Sequence, residues 1–306
     1  MKMRIIFTLL ITLSIFFTAQ SQSKCDCYER LSKLAGLKFQ ENKPDSALFF
    51  YRKAFSFLPE NSKDKFDFST MALYFSSNNI IDSASYYAKK AIINGYKVDY
   101  FLRNSNFKPL TSSSFWAEVK DTKFSFNTFN WEFYNAIKEM TGIDQAIRDE
   151  SKLGKWANDS IYYSVDSINF YSVKELIELY GFPTVQTHGF HFNEIMIFLI
   201  HASMYSDHMF EDVLDVLYEA NSMYICDKSF IATFIDRRLL WHKNQKQNTG
   251  TWNKAKAFNP INDIQKIDSL RFSFNLLNLN DYGNLMNLEL PEGYIKTDYP
   301  ANYFCY

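Results

Sequence analysis

The chain has 306 residues, enough for one large or two modest domains, and a formal net charge of -1 at pH 7. A charge this close to neutral argues against a protein that follows a phosphate backbone, so we expect no nucleic-acid partner. Aromatic residues reach 18%, with 30 Phe and 20 Tyr. A genome poor in G and C explains this excess better than an aromatic binding surface does.

The first 21 residues have the pattern of a secretory signal peptide. Lys2 and Arg4 precede the apolar run Ile5–Phe17, and Ala19 to Ser21 supply small residues at a cleavage point. The apolar run is shorter than the ~20 residues that a membrane span needs. We therefore predict an exported protein, periplasmic or secreted, with no membrane span and no lipid anchor.

Four cysteines follow this segment, and an oxidising compartment would allow them to form disulfides. Four cysteines permit three pairings, and the sequence does not choose among them. Cys25-Asp26-Cys27 is similar to half of a zinc site, but no second ligand pair follows at zinc spacing. The cysteines are Cys25, Cys27, Cys226 and Cys305.

Small residues recur over residues 24–95, with Ala47 and Ala54 in the first part and Ala84 and Ala88 in the second. This pattern resembles two tetratricopeptide repeats, in which small residues allow paired helices to cross closely. Ala47 and Ala84 are 37 residues apart, which is the repeat of about 34 residues plus a short insertion at 60–64. Two repeats bury their faces only against neighbours, so we interpret residues 96–136 as a cap that joins them to the second half. The repeat surface predicts a protein or peptide partner. The first copy carries Leu31, Leu34, Ala35, Ala47, Tyr51, Ala54 and Pro59, and the second carries Phe68, Met71, Ala72, Phe75, Ala84, Ala88 and Ala91.

The second half is also predicted to be helical, over residues 137–283, with a mostly irregular tail over 284–306. Ser172 and Glu175 form a capping box, which predicts a helix that begins at Ser172 and ends near Gly181. A buried helix is expected from about 190 to 204, followed by one that Ser206 or Asp207 caps. The predicted fold is therefore all-α, with two tetratricopeptide-like hairpins packed on a C-terminal helical domain.

His201 raises the question of a site, because it follows the apolar run Ile195–Ile200 where another hydrophobic residue is expected. His191 and Glu194 share its helical stripe, but Glu194 lies seven residues earlier, roughly 10 Å along a helix axis. His201 and Glu194 therefore cannot share one ion. His191 and Glu194 can meet at i, i+3, but two ligands do not make a site, so we predict no metal. The chain has no nucleophile elbow, no P-loop and no dinucleotide fingerprint, so no cofactor is expected.

Charged residues scattered through the helices remain as site candidates. Asp144 and Arg148 have an ordinary explanation as an exposed i, i+4 pair worth ~0.3–0.5 kcal/mol. Structural ion pairs are commoner than functional sites, so that explanation has priority on composition alone. The set comprises Asp144, Arg148, Asp149, Asp166, His201, Asp207, Asp236, Arg237 and Arg271.

The order of several short motifs favours a functional site over this structural explanation. DQAIRD, YGFP, LIHA, DRR, QNTGT and PINDIQKIDSLR occur in sequence between Asp144 and Arg271. Over about residues 137–276 this order resembles the uncharacterised bacterial family known as domain of unknown function 6624. The matching positions are Asp144, Gln145, Arg148, Gly181, Pro183, His201, Ala202, Asp236, Arg237, Gln247, Gly250, Thr251 and Arg271.

The chain departs from the family pattern at four positions. Ile200 and Ser203 replace a Gln and an Asp beside His201, Thr249 replaces a Tyr, and Trp252 replaces a final Gln. The resemblance therefore implies a conserved scaffold whose pocket has altered hydrogen-bonding groups. If the family is catalytic, it implies that this member is modified or inactive.

Two hypotheses of function follow. The favoured one is an exported protein- or ligand-binding module of the cell envelope. The rival is a hydrolase-like enzyme for a small polar substrate, with His201 as general base, Asp207 or Asp236 orienting it, and Arg148 or Arg237 stabilising negative charge. The enzyme hypothesis predicts that these groups converge on one cavity, with His201 near Arg237 or the loop at Gly250. The predicted ligand-binding residues are Asp144, Arg148, Arg237, Gln247, Gly250, Thr251 and Arg271.

Overall fold

The computed structural model describes residues 24–58, 65–123, 129–149, 159–189, 192, 195–204, 206–223, 225, 227–254 and 256–305. Within these ranges about 68% of the residues are helical and the strands form a two-stranded sheet, which confirms the predicted all-α class. No helix within these ranges is long and apolar enough to cross a membrane. The predicted signal peptide, Pro59, His191, Glu194 and Cys226 lie outside the described residues.

The first half consists of paired helices followed by short ones. The helices are α1 (Lys24–Gln40), α2 (Pro44–Phe55), α3 (Lys65–Ser77), α4 (Ile81–Ile93), α5 (Val98–Arg103), a 3-10 turn (Ser105–Phe107), α6 (Lys108–Thr111) and α7 (Trp116–Lys120).

The second half adds longer helices and a small sheet. Its elements are α8 (Trp131–Arg148), α9 (Asp159–Tyr180), α10 (Val185–His188), α11 (Met196–Ala202), α12 (Asp207–Ser222), α13 (Lys228–Arg237), a π-helical turn (Arg238–His242), β1 (Asn253–Lys254), β2 (Ala257–Phe258), α14 (Ile267–Ser273), α15 (Leu279–Met286) and a 3-10 turn (Ala301–Phe304).

Both predicted helical hairpins are present, as α1 with α2 and α3 with α4. Ala47 and Ala84 are fully buried where the helices of each pair approach. Asn42 and Asn79 turn the chain between the helices in the left-handed region, at φ of 57° and 59°. These two asparagines repeat the 37-residue spacing of the alanines, so the register inferred from small residues extends to the turns.

Buried residues between 101 and 119 pack on the second hairpin. Phe101, Phe107, Leu110 and Val119 are almost fully enclosed and belong to the same hydrophobic cluster as the second repeat. Their burial covers the face that an isolated pair of repeats would leave open to water.

A second hydrophobic core joins α8, α9, α11, α12 and α13. Its centre includes Phe133, Phe170, Phe198, Leu217 and Ile231, each with no exposed surface. Helix α12 begins as predicted, since the Ser206 hydroxyl accepts a hydrogen bond from the amide of Met209.

The prediction that a helix begins at Ser172 is wrong. Helix α9 runs through that position from Asp159 to Tyr180. The reason is tertiary, because Asp166, Phe170, Val173 and Ile177 form one buried face that continues upstream of the capping box. Burial of this face outweighs the local capping signal.

The two halves meet at a buried polar junction on α1, centred on Asn275. The side chain of Asn275 donates to Asp26 at 2.8 Å and to Glu29 at 3.0 Å, and accepts from Arg30 at 2.6 Å. Asn275 adopts a φ of 56°, a left-handed conformation that Asn tolerates better than most residues. One side chain after α14 thus connects three residues of the first repeat helix.

The tail also packs on the repeats. Cys27 on α1 forms a disulfide with Cys305, with 5.7 Å between the two Cα atoms, and Tyr303 is fully buried beside it. Cys25 keeps a free, buried thiol. The tail is irregular in backbone, as predicted, but the disulfide ties it to the first helix.

Glu29 is the most enclosed charge at the junction, at 1% exposure. It accepts hydrogen bonds from Asn221 at 3.3 Å, the Lys228 amide at 3.1 Å and Asn275 at 3.0 Å. Burial, together with the nearby Asp227 carboxylate, raises the pKa of Glu29 to about 7. The Lys228 amide and Asn275 act in the opposite direction because they favour the ionised form.

We expect Glu29→Ala to lower the free energy of unfolding by about 2–4 kcal/mol, since each buried donor left without a partner costs about 1–3 kcal/mol. Urea denaturation followed by circular dichroism measures this loss. Glu41→Ala is the matched control, because Glu41 forms surface ion pairs with Lys38 and Lys43. The control should change stability by no more than ~0.5 kcal/mol.

The same residue predicts a pH dependence. The folded-state pKa of Glu29 lies above its ordinary value of 4.5, so folding favours the protonated carboxyl. The resulting stability is present at pH 4.5 and is lost as the pH rises through about 7. Wild type and Glu29→Ala should therefore differ in their stability profiles over that window, and superimposable profiles would contradict this assignment.

Candidate functional site

The C-terminal core contains a cluster of four polar side chains from α8, α9 and α11. The Arg148 guanidinium contacts Asp144 at 2.6 Å and Asp166 at 2.5 Å. His201 places Nδ1 3.1 Å from Asp144 Oδ1 and 3.8 Å from Asp166 Oδ1. We call Asp144, Arg148, Asp166 and His201 the polar cluster.

Each member reaches the cluster through ordinary helix geometry. Asp144 and Arg148 are one turn apart at the end of α8, and Asp166 lies on the buried face of α9. His201 is in the last turn of α11, beside the fully buried Ala202. The sequence correctly paired Asp144 with Arg148, but the pair is not on the surface, because Asp144 has no exposed surface.

Two of the four side chains in the polar cluster are buried carboxylates. Asp144 and Asp166 are at most 1% exposed, and a single guanidinium lies between their carboxylates. Burial alone would raise the pKa of Asp144, but the hydrogen bond and charge of His201 and the charge of Arg148 lower it below its ordinary value. Asp144 is therefore held ionised in spite of its burial.

One edge of the cluster is open. Nε2 of His201 has no hydrogen-bond partner in the part of the chain described, and it is not enclosed. A cavity of about 360 Å³ lies beside Arg148, lined by Gly142, Gln145, Ala146, Arg148 and Asp149. Gln145 connects the cavity to the cluster by donating to Asp144 at 2.9 Å.

Asp236 belongs to a different network, which holds a loop in place. Its carboxylate accepts hydrogen bonds from the amides of Asn248, Thr249 and Thr251 at 2.6–3.1 Å and from both threonine hydroxyls. Gly250 lies between the two threonines at a φ of 66°, a conformation that favours glycine. All acceptor capacity of Asp236 is used in closing this loop.

Gln247 and Arg271 complete the same loop network. Gln247 donates to the carbonyls of Trp252 and Asn259 and accepts from the Trp252 amide, so it links both sides of the loop. Arg271 is 1% exposed and donates to the Thr249 carbonyl at 2.5 Å. These residues have structural roles that their sequence pattern did not distinguish from ligand binding.

Asp207 and Arg237 lie in two further environments. Asp207 is largely exposed, and hydrogen bonds from Lys243 and Arg238 lower its pKa to about 2. The Arg237 guanidinium lies 4.3 Å from the ring centre of Trp241 and 5.5 Å from that of Trp252. Arg237 therefore packs as a cation on two indole rings.

The predicted residues thus separate into groups. The structure brings together Asp144, Arg148 and His201, while the polar contacts of His201 among described residues are to Asp144 and Asp166. Arg237 and the Gly250 loop, which were expected beside His201, contact other residues instead: Arg237 packs on Trp241, and Gly250 accepts a hydrogen bond from Arg271. Asp236 cannot orient His201, because its oxygens already bind the loop.

Asp166 is the site residue that sequence reasoning did not place. It was one charged residue among several, yet it stands on the same stripe as Phe170, Val173 and Ile177, which pack in the core. A carboxylate on an otherwise apolar helix face is the signal that could have identified it.

No family model, curated protein or solved structure matches the chain. The resemblance described from the motifs therefore stays a prediction.

We expect Asp236→Asn to lower the free energy of unfolding by about 1–3 kcal/mol, because the Asn amide nitrogen cannot accept the hydrogen bonds that the buried loop donates to the Asp236 carboxylate. Asp215→Asn is a matched control, because Asp215 is exposed on α12. Chemical denaturation of the two variants gives the comparison. An equal, small effect in both would contradict the structural role of Asp236.

Proposed function

We propose that this is an exported ligand-binding protein of the cell envelope, periplasmic or secreted. The C-terminal helical domain supplies a site for a small polar ligand, and the repeats supply a surface for a protein partner. The disulfide between Cys27 and Cys305 supports export, because such bonds persist in oxidising compartments. The basic and apolar start of the chain supports the same proposal.

The proposal of a ligand site rests on the contacts of the Arg148 guanidinium. Its two terminal nitrogens are each engaged by a buried carboxylate, from Asp144 and Asp166. Because both nitrogens already bind carboxylates, the guanidinium is not placed to bind a negatively charged ligand group. The sequence had predicted that Arg148 stabilises negative charge. The two carboxylates and the imidazole of His201 favour a ligand that is cationic or donates hydrogen bonds.

We expect ethanolamine and glucosamine to raise the melting temperature of the wild type, with His201→Gln responding less. A ligand at a hundred times its Kd stabilises the folded state by about 2.7 kcal/mol, which corresponds to several degrees. Differential scanning fluorimetry in the presence of a chelator measures the shift.

Acetate and phosphate at matched ionic strength serve as the anionic comparison and should have no such effect. Stabilisation by the anions and none by the amines would contradict the proposed charge preference. His208→Gln is the control variant, because the His208 side chain is 82% exposed and lies on a different helix, α12.

The repeats support the proposal of a protein partner through their exposed aromatic residues. Phe49, Phe66 and Tyr86 are between 53% and 59% exposed. A cavity of about 550 Å³ lies where the second repeat meets the cap, with Ile92, Tyr96 and Val98 among its lining residues. Aromatic and apolar side chains of this kind are enriched at protein interfaces.

The grouping of the motif residues supports the proposed relationship to the domain of unknown function 6624 family. Eight of the thirteen matching positions fall into two physical units. Asp144, Arg148 and His201 share the polar cluster. Asp236, Gln247, Gly250, Thr251 and Arg271 share the loop network.

Acid–base catalysis is the second candidate function, and one observation favours it. His201 turns Nδ1 to the buried Asp144 carboxylate and leaves Nε2 open, the arrangement of an oriented general base. In this role Nε2 would accept a proton from a water molecule that attacks an ester. Hydrolysis of p-nitrophenyl acetate should then be at least tenfold slower in His201→Gln than in the wild type, and equal rates would contradict catalysis.

A further inference from the structure

The polar cluster presents three side chains of metal-ligating type at close range. One oxygen each from Asp144 and Asp166 and a ring nitrogen of His201 all lie within 4.8 Å of one another. Ligand atoms that share an ion at ~2.0–2.2 Å stand about 3–3.6 Å apart. The contacts of His201 Nδ1, 3.1 Å to Asp144 and 3.8 Å to Asp166, are close to that range.

We propose that Asp144, Asp166 and His201 bind a divalent transition-metal ion of the zinc type, and that Arg148 replaces its charge in the metal-free protein. The proposal deepens the ligand-binding function and rests on it. It differs from the arrangement considered in the sequence, where candidate ligands followed one another along a single helix. Here the ligands come from three helices, α8, α9 and α11.

The donor set selects the class of ion. Two carboxylates and an imidazole suit zinc, manganese, iron or cobalt, whereas calcium and magnesium prefer oxygen ligands alone. Three protein ligands leave coordination positions for water or a bound ligand, as in open zinc sites.

Charge supports the exchange of Arg148 for a metal ion. Arg148 brings one positive charge to the two buried carboxylates of Asp144 and Asp166, whereas a divalent ion would bring two. Arg148 is the last residue of α8, and 24% of its side chain is already exposed. It also lines the cavity of about 360 Å³, so its guanidinium can leave the carboxylates without crossing the core.

Cobalt(II) chloride is a suitable probe, because its visible absorption reports coordination by protein ligands. The full chain, freed of metal by a chelator, should bind one equivalent of cobalt and release it to zinc but not to calcium or magnesium. Arg148→Met should bind cobalt at least tenfold more tightly, since the competing cation is absent. His201→Gln and Asp166→Asn should each weaken binding at least tenfold.

His208→Gln is the matched control, since the largely exposed His208 side chain lies 3.8 Å from Asp212 on α12, away from the polar cluster. Unchanged cobalt binding by His208→Gln supports the proposal. Loss of cobalt binding in this variant would show that the metal binds at the surface and would overturn the proposal. Circular dichroism verifies that each variant is folded. If Arg148→Met does not fold without metal, the His201→Gln and Asp166→Asn titrations decide alone.

Two outcomes separate this inference from the function on which it rests. No cobalt binding by the folded wild type overturns the metal site. If ethanolamine or glucosamine still stabilises that protein in chelator, the ligand-binding proposal survives. Cobalt binding without any effect of the amines supports the metal site and contradicts the proposed amine preference.

Discussion

One guanidinium between two buried carboxylates fixes the arrangement of the C-terminal helices. Arg148 at the end of α8 contacts Asp144 one turn before it and Asp166 on α9, and neither carboxylate is appreciably exposed. A buried charge without a partner costs several kcal/mol, so α8 and α9 must stay in this relation for the core to close. The same constraint positions His201, whose ring lies against Asp144.

Buried acidic residues connect segments of the chain elsewhere in the structure as well. Glu29 joins the first repeat helix to segments near Asn275, and Asp236 closes the loop around Gly250. Asp268 accepts from the Leu279 amide at 2.7 Å and so fixes the start of α15. Each acid receives hydrogen bonds from segments distant in sequence, so these contacts specify which elements pack together, while the apolar clusters supply most of the burial.

Local patterns predicted the hairpins well, because small residues at a fixed spacing determine how two adjacent helices cross. The capping box at Ser172 predicted a helix start that does not occur. A capping box depends on residues within one turn, whereas the buried face of α9 extends over several turns. The partners of His201 and Asp236 were beyond prediction from the sequence. These partners are set by which helices pack together. The sequence contains several carboxylates and arginines that could each have formed the same contacts.

Anomalous diffraction from crystals grown with zinc tests the central claim most directly. The account predicts a peak at ~2.0–2.2 Å from Nδ1 of His201 and from one oxygen each of Asp144 and Asp166, with Arg148 turned toward the neighbouring cavity. A map with no peak at this position, and with Arg148 still bridging both carboxylates, would contradict it.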